Sequence, residues 1–116
     1  MAAIITDEEV RRAVEFLVHS AAEIAQAKAD ADRAEKMLKH IKAMAMKDSG
    51  ESSAAAQLRE AEASAAYVQG IAACYETTKQ AEMLKAQREA AHIKIEAWRS
   101  VKADQRAAER GYGSAR

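Results

Sequence analysis

Residues 88–100 read REAAHIKIEAWRS, and the fold turns on whether HIKIEAW alternates as a strand or winds as a helix. Alternation holds for too few residues to decide the matter. A heptad pattern reaches much further: Ala63, Tyr67, Gly70, Cys74, Thr77, Ala81, Leu84, Arg88, Ala91, Ile95 and Trp98 fall on one seam, and no proline interrupts it. The segment is therefore read as helix, with Trp98 on its inner line.

An earlier stretch carries the matching pattern. Val10, Leu17, Ile24, Ala31, Leu38 and Ala45 recur every seven residues, interleaved with Ala13, Ser20, Ala27, Ala34 and Ile41. Only Ser20 breaks that apolar line. Thr6 followed by Asp7, Glu8 and Glu9 is a T-x-x-E capping box, which starts the first helix at about Asp7. The run KDSGESS, residues 47–53, supplies the stop, with Gly50 expected to take a left-handed C-terminal cap. A short helix is expected in AAAQLREAEA, and Ser64 then caps the second long helix.

The expected organisation is an all-α, antiparallel two-long-helix hairpin, coiled-coil-like and alanine-rich. Residues 1–6 form an N-terminal arm and 7–110 a single helical domain, comprising helix 7–48, a connector with a short helix at 49–63, and helix 64–110. Gly111 and Gly113 are expected to end the regular structure, leaving 111–116 as a flexible tail. A connection of this length makes the long helices antiparallel neighbours, which sets Trp98 opposite the start of the first helix. Residues 1–35 carry eight acids and four bases, and residues 79–116 carry nine bases and five acids, so folding back brings unlike charge together.

Composition bounds the core. Leu, Ile, Val and Phe number 17 among 116 residues, while alanine numbers 30. Such a chain favours helix but cannot fill a wide interior. Lys plus Arg and Asp plus Glu both number 18, so net charge draws it toward neither nucleic acid nor membrane. The single Cys74 excludes an internal disulfide and suits a reducing, cytoplasmic setting. The opening MAAIITDEE reads as neither a signal peptide nor a membrane span.

A two-helix hairpin has one inner face, so apolar residues off the seam need another cover. Val14, Phe16, Val18, Met37, Met44, Ile71, Tyr75 and Met83 are such residues. They predict a homo-oligomer, most simply a dimeric four-helix bundle, unless the short helix and the termini cover them.

Candidate chemistry is sparse. Glu89-Ala-Ala-His92 is an E-x-x-H of the kind found in di-iron bundles, but the nearest complement, Glu15 and His19, has spacing four and the register points both pairs sideways. His40 has no ligand set nearby, and no metal site or cofactor is expected. The four glycines make no phosphate loop, no nucleophile-and-base motif occurs, and Cys74 lies on the seam as a small apolar group. No enzyme and no small-molecule substrate is expected. A basic row is the remaining feature: Lys85, His92, Arg99 and Arg106 repeat every seven residues, with Arg88, Lys102 and Arg110 close to the same stripe. These seven residues could meet phosphates or the acids of a protein partner.

The sequence TDEEV at 6–10, the lysine-rich KMLKHIKAMAMK at 36–47 and above all REAAHIKIEAWRS within QREAAHIKIEAWRSVKADQRA at 87–107 resemble small helical proteins of tailed bacteriophages. The likeness spans about residues 7–108. It implies a phage accessory protein of the host cytoplasm, encoded among replication and recombination functions; no functional residue is carried over. The expected function is a non-enzymatic adaptor acting by protein contact in DNA replication or recombination, with DNA backbone contact by the basic row. Two alternatives are a structural coiled-coil module of a virion or scaffold and a helical inhibitor of a host or defence nuclease.

Overall fold

A computed structural model describes residues 5–114 and contains three helices: α1 (Asp7–Asp48), α2 (Ala54–Glu62) and α3 (Ala65–Ser114). The two long helices pack against each other with the short one between them in sequence, and no strand occurs among the described residues. HIKIEAW is helical throughout.

Local chemistry sets the helix ends. The Glu9 amide donates to Thr6 Oγ1 at 3.1 Å and the Thr6 amide donates to Glu9 Oε2 at 3.1 Å, so two donors without helical partners are satisfied reciprocally. At the other end of α1, both the amide and the hydroxyl of Ser49 donate to the Met46 carbonyl. That overturns the cap expected from Gly50, since no described glycine has a positive φ. The serine satisfies the carbonyl that a left-handed glycine cap would have served. Ser53 is the N-cap of α2, its Oγ accepting from the Ala56 amide at 3.2 Å. Ser64 joins two helices: its hydroxyl donates to Ala61 O at 2.6 Å and accepts from the Tyr67 amide at 3.3 Å.

The expected stop at Gly111 is also corrected, because α3 runs on through Gly111 and Gly113 to Ser114. Helical glycine costs only about 1 kcal/mol relative to alanine, so without a competing turn the helix continues. Residues 1–4 of the expected arm and 115–116 of the expected tail lie outside the described residues.

Two compact units can be distinguished. The first joins the residues up to Ala21 with those from Leu84 onward. Here α1 and α3 run in opposite directions, for Asp7 meets Trp98 while Ser20 meets Arg88. Val10, Ala13, Ser20 and Ala91 are buried between them, with Leu17, Leu84, Arg88, Ile95 and Trp98 half-buried. The second unit is Ala22–Met83. Its buried residues are Ala61, Gly70 and Ala81, and Ile24, Leu38, Ile41 and Cys74 are half-buried. Gly70 permits close helix approach: a Cβ there would stand 2.8 Å from Leu38 Cδ1 and 3.3 Å from Ile41 Cδ1.

Every residue assigned to the two seams is buried or half-buried except Ala63, which is the exposed C-cap of α2. The hydrophobic core is nonetheless thin. Among the described residues its fully buried members are Val10 and four alanines. Among the described residues, ion pairs form mostly within one helix. Arg11 with Glu8 and Glu15, Lys36 with Asp32, and Arg99 with Glu96 each stay on one helix, whereas Lys102 reaches across to Asp7 at 3.6 Å.

Candidate interaction surfaces

In the first unit α1 presents Val14 and Val18 four residues apart, hence on one face, and Val18 is 69% exposed. Phe16 departs from expectation. It is half-buried and forms part of a cleft with Ala13, Ala90 and Ala91, rimmed by Glu9, Arg12, Gln87 and Lys94. Alanines on both helices leave room for the ring to fold inward. Ile93 on α3 is 68% exposed and was not singled out in the sequence, being the lone large apolar residue on its outward line.

In the second unit Met37, Met44, Ile71, Tyr75 and Met83 are exposed, as the off-seam pattern requires. Val68 joins them. Its spacing of three from Ile71 and seven from Tyr75 was a readable signal for the same stripe. Ile71, Cys74, Tyr75, Thr78 and Lys79 line a shallow apolar concavity, with Lys79 Nζ 6.0 Å from the centre of the Tyr75 ring. Cys74 is a free, half-buried thiol at its edge.

The basic row divides once its side chains are placed. Arg88 leaves it: Nη1 donates to the Leu17 carbonyl at 2.8 Å and to Ser20 Oγ at 2.6 Å, so this cation serves the interior and not a ligand. The physical reason lies on both seams, where the one polar break in α1 faces the one arginine in the inner line of α3. Arg99 is held by Glu96 at 3.1 Å. Lys102 sits half-buried over Trp98, 5.8 Å from the ring centre, and near Asp7. Lys85, His92, Arg106 and Arg110 are exposed.

Asp7 is the hub of the cross-helix contact in this unit. It accepts from Trp98 Nε1 at 2.7 Å, and that bond, followed by the charge of Lys102, holds its carboxyl below the usual carboxylate range. One residue on, the Arg11 hydrogen bonds draw Glu8 down to about 2, with desolvation opposing and Arg12 assisting. The Arg11 guanidinium is correspondingly pushed up.

No protein-family model, curated protein or solved structure matches the chain.

Glu89 and His92 are both exposed on α3. Glu15 is engaged by Arg11, and His19 Nδ1 lies 3.3 Å from the Glu15 carbonyl. Among the described residues no group of three or more His, Cys, Asp or Glu side chains is placed to hold a metal ion. Nor is any described helix long and apolar enough to cross a membrane. The described surface presents apolar side chains in helical register on both long helices and exposed basic side chains on α3.

Proposed function

We propose that the chain is a non-enzymatic helical adaptor that acts through protein contact, its first partner being a second copy of itself in a dimeric bundle. Exposed apolar side chains at helical spacing carry this reading, because a lone chain leaves them in water and a second copy would cover them in an interface. Val14 and Val18 in the first unit, and Val68, Ile71 and Tyr75 in the second, are the side chains best suited to enter it, since each group forms a stripe at helical spacing.

The likeness to tailed-phage accessory proteins supports a role beside replication or recombination in a host cytoplasm. Light scattering on the full chain, alone and with Val18→Glu and Tyr75→Glu combined, tests the contact. Wild type should have the mass of two chains at tens of micromolar, and the double variant that of one with helicity unchanged. A wild-type monomer at that concentration overturns the self-association.

A further inference from the structure

Only Ala63 and Ser64 separate α2 from α3, and the local sequence gives no reason for a break there. Residues 54–69 hold neither glycine nor proline, and Ala61, Ala63, Ala65 and Ala66 are of the strongest helix-forming type, so intrinsic preference favours one unbroken helix. The backbone strays little from that path. Ala63 keeps φ −88° and ψ −7°, in the right-handed region, and its amide still donates to the Arg59 carbonyl at 3.1 Å. The Ser64 amide then donates three residues back, to the Ala61 carbonyl at 3.1 Å, and helix has resumed where the Val68 amide meets the Ser64 carbonyl.

Two small contributions hold the bend. The Ser64 hydroxyl donates to the Ala61 carbonyl and accepts from the Tyr67 amide, so it closes one helix and opens the next. Ala61 is 1% exposed, the most deeply buried apolar side chain among the described residues, but it contributes only a methyl group. A segment whose local preference opposes its tertiary path has the makings of a two-state element.

Straightening the break would move α1, because residues 49–53 tie it to α2. Here Gly70 lies against Leu38 and Ile41. In an unbroken helix Gly70 stands about 24 Å from Ala54, and an equal distance back along α1 from Asp48 reaches Asp32, next to the seam residue Ala31. α1 would therefore slide by one heptad, about 10 Å, placing Ala31 and Ala34 where Leu38 and Ile41 now lie. Both seams repeat every seven residues, so apolar side chains still meet after the slide. Two contacts do not survive it. Arg88 would face Ala13 in place of Ser20, and Trp98 would leave Asp7.

We propose that the Ala63–Ser64 break is a two-state hinge: bent as seen here, or straight, with residues 54–114 a single helix and α1 drawn one heptad along it. The Ser64 cap and the Ser20–Arg88 contact hold the bent form. A contact made on α2 is thereby converted into an axial shift of α1, a ratchet of one element past another. The hinge acts within one chain and does not depend on self-association.

Double electron–electron resonance on the full chain reads the slide, with nitroxides at Lys36→Cys and Glu82→Cys in a Cys74→Ala background diluted with unlabelled chain. Both labelled sites are exposed. The slide lengthens their separation by about 10 Å. The parent should give one distance. Ser64→Ala removes the cap and favours continuous helix, moving the balance roughly tenfold toward the straight form. With Arg88→Ala added, the longer distance should account for about a fifth of the spins or more. Ser64→Asp with Arg88→Ala keeps a capping side chain and should restore the single parent distance. A lone parent distance in Ser64→Ala with Arg88→Ala, at unchanged helicity, overturns the hinge. If that variant loses helicity, Ser64→Ala with Ser20→Ala, which spares Arg88, is read in the same way with the same two outcomes.

Discussion

Replacing Ser20 and Arg88, singly and together, tests how the two seams find their register. Ser20 is 2% exposed and accepts a 2.6 Å hydrogen bond from Arg88, which also donates to the Leu17 carbonyl. A hydrogen bond to a charged donor contributes about 1.5–3 kcal/mol, toward the lower end here because the guanidinium is only half-buried. Ser20→Ala loses that bond but gains about 0.5 kcal/mol of helix propensity, giving a net cost of about 1 kcal/mol. Arg88→Ala loses both bonds and the packing of the side-chain stem, for about 2–3 kcal/mol. The double variant should cost about 1–2 kcal/mol less than the sum, because the shared bond can be lost only once. Urea unfolding followed by circular dichroism at 222 nm measures all four corners of this cycle. Additivity within about 0.5 kcal/mol would refute the coupling. A further variant sharpens the test: Arg88→Leu with Ser20→Ala should match or exceed wild-type stability, as apolar replacements of buried polar pairs often do. It should also broaden the distance distribution between spin labels at Val10 and Trp98, since a uniform small-residue seam can slip by a heptad.

Other expectations follow from single contacts. Gly70→Ala should change stability by less than about 1 kcal/mol, because improved helix propensity offsets the push on flexible Leu38 and Ile41 side-chain ends, whereas Gly70→Leu should cost about 2 kcal/mol or more by urea unfolding. Thr6→Ala removes half of the capping box and should cost about 1 kcal/mol, seen as faster amide exchange in the first turn of α1. Asp7 and Glu8 both have lowered folded-state pKa values, so their contributions are present above the unfolded carboxylate range and are lost as pH falls through the folded values, near 2 for Glu8. Both are fully exposed and screened by salt. Trp98 fluorescence should accordingly change below about pH 4 in wild type and stay flat in Asp7→Asn; the same transition in both would remove Asp7 as its source.

Much of this fold was legible because heptad spacing and capping are local rules. Thr6 and Glu9 form the box that their spacing implies, and Trp98 meets Asp7 as the antiparallel pairing requires. Glycine was the less reliable sign. At Gly50 a serine hydroxyl serves the open carbonyl instead, and at Gly111 and Gly113 no turn competes with helix. The heptad register puts Arg88 on the seam and its charge groups it with the outward cations, and only the register holds. Charge type alone does not reveal that a cation faces a serine and a spare carbonyl lone pair across the interface. Phe16 turned inward because neighbouring alanines left it space, a matter of volume that periodicity does not encode.

A chain with so thin a core should complete its packing with a second copy. Sedimentation equilibrium from 1 to 50 µM at neutral pH measures this without labels or variants. A mass near twice 12.6 kDa is expected across the upper part of that range, with dissociation only on dilution. A single species of 12.6 kDa at every concentration would contradict it.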